Sequence, residues 1–86
     1  MALTQRYSNL SNLIKSKTVT TNTFFVSSGI PIEKTIVSCF TDYNGIGLVA
    51  FPTNRGGVFW SIDVRHLSDW ALNTTSVTIT VTYLDI

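Results

Sequence analysis

The chain has 86 residues, 13% of them charged, and its six basic residues are nearly matched by five acidic ones for a net charge of +1, which gives one domain with a modest core. The bases, at positions 6, 15, 17, 34, 55 and 65, form no stripe that could displace counterions from phosphates, so a nucleic-acid partner is not expected. No apolar run approaches the ~18–20 residues that span a bilayer, so membrane insertion is not expected either.

In chain order, "ALTQRYSNLSNLIK" places apolar residues at Leu3, Tyr7, Leu10 and Ile14, a spacing that fits a heptad seam or one helix face. Ser8, Asn9, Ser11 and Asn12 are poor helix formers. Two readings of residues 1–14 therefore stay open: a short amphipathic helix, on the domain or in an oligomeric stem, or an extended arm. From Lys15 the composition shifts to threonine and β-branched residues, and residues 15–86 read as a β-sandwich domain. "KSKTVTT" and "TFFVSS" predict two strands, or one broken at Asn22, ending at a turn in "SSGIP"; "EKTIVSCFTD" predicts a strand of about eight residues. Asn44-Gly45 predicts a tight hairpin, because both residues tolerate positive φ. "IGLVAF" follows, then "PTNRGG" as a loop.

In the next strand Val58, Trp60, Ile62 and Val64 share one face, with Phe59, Ser61, Asp63 and Arg65 opposite. "HLSDWALN" breaks this alternation and predicts a connection with one helical turn. "TSVTITVTYLDI" is the clearest strand, with Val77, Ile79, Val81 and Tyr83 on one face and Thr78, Thr80, Thr82 and Leu84 on the other. Five to seven short strands with turn signals at intervals of ~8–12 residues predict an all-β fold, a small antiparallel sandwich or barrel.

Candidate chemistry is sparse. Cys39 is the sole cysteine and His66 the sole histidine, which leaves no intrachain disulfide and no thiolate metal cluster. No metal and no cofactor is expected. The thiol reads as a small core hydrophobe in a chain that folds in a reducing cytosol. A meeting of His66 with Cys39 and Asp69 would be needed for nucleophilic catalysis, and a histidine bonded to backbone or solvent at a strand end is the simpler expectation. Asp63 and Arg65 predict a same-face ion pair. The triplets Asn9-Leu10-Ser11 and Asn73-Thr74-Thr75 match glycosylation sequons. No enzyme is expected.

What remains is surface chemistry. Tyr43, Asn44, Asn54, Arg55 and Trp70 supply aromatic faces and planar hydrogen-bonding groups, the means by which a protein stacks on a sugar ring and reads its hydroxyls. Asn54 and Arg55 precede the 58–65 strand and Trp70 follows it. At about 3.3 Å per residue the two ends stand over ~20 Å apart, so one shared site within a chain is not expected.

"YNGIGLVAF", "VFWSIDVRHL" and the closing "TSVTITVTYLDI" resemble the C-terminal tip domains of bacteriophage and prophage tail fibres over roughly residues 15–86. The resemblance implies a homotrimeric virion component, assembled in the bacterial cytoplasm, whose tip contacts a host surface glycan or protein; it carries over no catalytic residues. A mean hydropathy of +0.26 is high for so small a soluble domain, and apolar surface buried against copies of the chain or other virion subunits would account for it. The competing reading is a structural virion protein, a decoration or connector, with no receptor.

Overall fold

Threonine, valine and isoleucine favour extended backbone because their branched Cβ packs well on a pleated surface, and this chain uses them in six strands. The computed structural model describes residues 12–86. Its strands are β1 (Ile14–Thr21), β2 (Phe25–Pro31), β3 (Thr35–Thr41), β4 (Leu48–Thr53), β5 (Phe59–His66) and β6 (Val77–Leu84), with a short 3-10 turn at Tyr43–Gly45. They form two three-stranded sheets, ordered β1-β6-β3 and β2-β5-β4, with antiparallel pairing throughout. The protein is an all-β antiparallel sandwich. Leu3, Tyr7 and Leu10 of the heptad-like series lie outside the described residues, and Ile14, its last member, opens β1.

The two central strands supply most of the core. Ile62 and Val64 of β5 and Val77, Ile79 and Val81 of β6 are buried, together with Ile30 of β2. The inward set of β6 is the one its alternation predicts. Trp60 packs against this core from the side, and its Nε1–H donates to the Lys34 carbonyl (2.8 Å), the polar partner a buried indole needs. Val58 departs from its expected inward place: it precedes β5 and is 70% exposed. On the far side of the β1-β6-β3 sheet, threonines oppose one another, and Thr20 and Thr78 join hydroxyls at 3.1 Å.

Several turns differ from the sequence expectation, each for a local reason. "SSGIP" does not end the strand. β2 runs on to Pro31 through an irregularity between Ser27 and Pro31, where Gly29 takes φ +72° and the buried Ser28 hydroxyl bridges the Trp60 carbonyl and the Ile30 amide. The turn follows instead, closed by Lys34 N donating to the Pro31 carbonyl (3.0 Å). Asn44-Gly45 makes no hairpin, because β3 pairs with β6 and β4 with β5; the 3-10 turn there carries the chain from one sheet to the other. The positive φ falls on Gly47 (+79°), while Gly45 is buried, and a Cβ there would collide with the Thr41 side chain. Pro52 and Thr53 belong to β4, an edge strand where a missing N–H is tolerated, so the β4–β5 loop begins only at Asn54.

The β5–β6 connection has the single turn expected of it, with Trp70 N donating to the His66 carbonyl (2.9 Å). The chain then doubles back beside β5: His66 N donates to Ala71 O (2.8 Å) and Arg65 bridges Leu72. Asn73, only 1% exposed, locks this return. Its Nδ2 donates to the carbonyls of Thr23 (2.9 Å) and Thr75 (2.8 Å), and its Oδ1 accepts from the Thr75 amide and hydroxyl. With its amide buried and fully hydrogen-bonded, Asn73 of the second sequon has a structural role in the folded domain; the first, Asn9-Leu10-Ser11, lies outside the described residues.

Candidate functional site: an aromatic ledge on one sheet

The outer face of the β2-β5-β4 sheet is unlike the threonine face of its partner sheet. Cross-strand register places Phe25, Asp63 and Phe51 in one row, with Ser27, Ser61 and Thr53 in the next. Ser61 and Asp63 of this face are each 6% exposed, so both faces of β5 are covered over this stretch. The cover on the Asp63 side is Arg55, which reaches back from the β4–β5 loop.

Arg55 holds Asp63 with two parallel contacts, Nη2 to Oδ2 at 2.7 Å and Nε to Oδ1 at 3.2 Å. Such a fork is the geometry in which guanidinium and carboxylate bind most strongly. The Thr53 hydroxyl donates a third bond to Oδ1 (2.8 Å). The guanidinium lies 4.6 Å from the Phe25 ring centroid and 5.7 Å from that of Phe24, within cation–π range. The ion pair expected between Asp63 and Arg65 is therefore replaced by one with Arg55. Arg65 turns to the other end, donating from Nη1 to the Trp70 carbonyl (2.9 Å) with its guanidinium 5.8 Å from the indole.

Trp70 is held in a left-handed backbone conformation, φ +62°, the one non-glycine residue with positive φ among those described. For a bulky side chain this backbone stores ~1–3 kcal/mol and persists only when its surroundings impose it. Here the His66 and Arg65 bonds fix the backbone, and the indole stacks on Phe51 with centroids 5.4 Å apart and planes 14° from parallel. The residue remains 50% exposed.

Side-chain reach brings the two ends of β5 closer than their separation along the strand. Arg55 covers Phe25 and Asp63, Trp70 covers Phe51, and these three covered residues are one cross-strand row. The remaining candidates lie elsewhere. Tyr43, 84% exposed, and Asn44 occupy the turn before β4, at the end where Leu67 N donates to the Gly47 carbonyl. Asn54 belongs to the opposite loop, where its Oδ1 accepts from Gly56 N (2.9 Å). Phe25, Phe51, Phe59 and Asp63 are ledge residues that the sequence reading missed as a site. The alternation of β5 carried half of the signal; the register that adds Phe25 and Phe51 was not in it.

The groups considered for catalysis are separately engaged. Asp69 Oδ1 accepts from Ala71 N (3.0 Å), His66 closes β5, and Cys39 packs against the core from β3, where burial raises its thiol pKa above the ordinary value. A raised pKa lowers the thiolate fraction and with it nucleophilicity. Among the described residues, no three His, Cys, Asp or Glu side chains gather to hold a metal, and no helix is long and apolar enough to cross a membrane. The chain matches no family model, no curated protein and no solved structure.

Proposed function

We propose that this domain is the receptor-binding tip of a virus tail fibre, acting as a homotrimer in the virion and binding host surface carbohydrate non-covalently through the Trp70–Phe51–Phe25–Arg55 ledge. The observation that carries this reading is the backbone at Trp70. A half-exposed tryptophan kept in a strained conformation and braced by Phe51 and Arg65 suits a preformed stacking platform, since immobilising the ring beforehand lowers the entropy lost on binding. Tyr43 and Asn44 on one loop and Asn54 on the other would extend contacts to a longer glycan or to a host protein. A trimer would present three such ledges, and multivalent attachment to a repeating surface ligand far exceeds the strength of one site.

The test compares Trp70→Gly with Trp70→Ala on a glycan array. Both variants are expected to lose binding. Glycine relieves the left-handed backbone, so Trp70→Gly is expected to be more stable than Trp70→Ala by about 1 kcal/mol in urea denaturation. Parental binding by both variants would remove Trp70 from the site.

A second reading, a structural connector that docks on other virion subunits, draws on Val37 and Phe40 of β3 (56% and 65% exposed) and on Ile46 and Leu67 (75% and 68%), since exposed apolar side chains of this kind often mark interfaces. Light scattering on the eluting protein addresses the assembly: a threefold mass is expected, and a clean monomer at micromolar concentration would sink the trimer.

A further inference from the structure

We propose that the cleft beside Arg55 accepts one uncharged pyranose ring and discriminates against acidic sugars; this rests on the receptor-binding reading above and names the ligand class of its ledge. The cleft has a volume of about 240 Å³ and is lined by Phe25, Ser27, Arg55, Val58, Phe59 and Ser61 among others. That is below the ~300–1,000 Å³ of pockets that enclose drug-sized ligands, which suits a single ring. Its walls are mainly apolar: Phe25 and Phe59 are 43% and 46% exposed, and Val58 stands out further. Two aromatic rings beside a small recess suit the C–H face of a sugar.

The charge selectivity follows from how Arg55 is held. It is the one ionisable residue lining the cleft among those described, and alone it would attract anions. Its Nε and Nη2 are already committed to Asp63, whose side chain is only 9% exposed. The pair is internally neutral, and among the described residues Nη1 makes no hydrogen bond, which leaves it to donate to a hydroxyl. The exposed Ser27 hydroxyl makes only one long bond, accepting from Gly29 N at 3.4 Å, so a ligand hydroxyl can recruit it, while the buried Ser61, donating to the Val26 carbonyl, forms the floor beside it. A ligand carboxylate placed here would meet a guanidinium already neutralised and, behind it, the like charge of Asp63.

The experiment is an NMR titration of the whole chain with the methyl glycosides of glucose, galactose and mannose, each against its uronic-acid counterpart. At least one neutral glycoside is expected to shift the Phe25 and Phe59 ring signals and the Arg55 Nε–H saturably, with its uronide binding about tenfold more weakly. Phe59→Ala, at the rim, is expected to weaken the neutral sugar by about tenfold. Asp63→Asn, where its amide spectrum stays native, is expected to narrow or invert the preference. Equal or stronger uronide binding overturns the inference, as does the absence of cleft shifts with every neutral sugar. Either result together with Trp70-dependent glycan-array binding overturns the cleft assignment alone; no array binding by the parent protein overturns the receptor reading.

Discussion

Asn73→Ala is expected to destabilise the domain by about 2–4 kcal/mol, although position 73 lies in a connection with no side-chain role in either sheet. The amide makes four hydrogen bonds while 1% exposed, two donated to the carbonyls of Thr23 and Thr75 and two accepted from Thr75. Alanine removes all four bonds, each of which contributes about 0.5–1.5 kcal/mol net, and leaves a void where a fully buried amide stood. The bonds also tie the β1–β2 turn to the β5–β6 connection, so their loss loosens the passage between sheets at two places. For a domain of this size, each 1 kcal/mol lowers Tm by roughly 4–8 °C, so calorimetry resolves the effect easily. Asn73→Asp should be at least as damaging, because it removes both Nδ2 donors and buries a charge. A loss below about 0.5 kcal/mol for the alanine variant, the scale of an ordinary surface substitution, would mean that water replaces the amide.

Arg55→Ala is expected to cost about 2–3 kcal/mol, more than a surface arginine ordinarily contributes. Exposed ion pairs contribute ~0–1 kcal/mol, whereas breaking a buried pair costs ~3–5 kcal/mol by leaving one charge alone. Arg55 and Asp63 fall between these limits, since their side chains are 44% and 9% exposed. Without Arg55 the carboxylate keeps only the Thr53 hydroxyl, and Phe25 loses the guanidinium over its ring. Replacing both partners with apolar side chains, Arg55→Met with Asp63→Leu, should recover most of the loss. No charge is then stranded, and the Thr53 hydroxyl can still donate to the Ser61 carbonyl (3.4 Å). A double-mutant cycle in urea measures the coupling. A double variant as unstable as Arg55→Ala would mean that the pair stabilises by its net attraction and not by avoiding a stranded charge.

These two residues show where the sequence was legible and where it was not. Alternation alone placed Val77, Ile79 and Val81 on the inner face of β6, and Ile62 and Val64 on that of β5, because a period of two is a local property of extended backbone. It also named Arg55 and Trp70 for the chemistry of their side chains. The partners of both escaped it. Asp63 looked as though it should pair with Arg65 two positions along its own strand, yet Arg55 closes on it across the β4–β5 loop. Asn73 looked like a sequon; three of its four bonds are local, to Thr75, and the fourth, which ties it to the β1–β2 turn at 2.9 Å, exists only in the folded sheet arrangement.

What the sequence determined by itself is the all-β class, most strand positions and the inward faces of the two central strands, all set by local backbone preference and side-chain period. Tertiary structure decided the rest. Asn44-Gly45 fits a hairpin in isolation, but β3 finds its partner in β6 and β4 in β5, so the same residues become a passage between sheets. The ends of β5 are far apart along the strand, but a long arginine folding inward and a turn that doubles back set Arg55 and Trp70 over one cross-strand row. Register and side-chain reach depend on contacts between residues distant in sequence, and no local pattern encodes them.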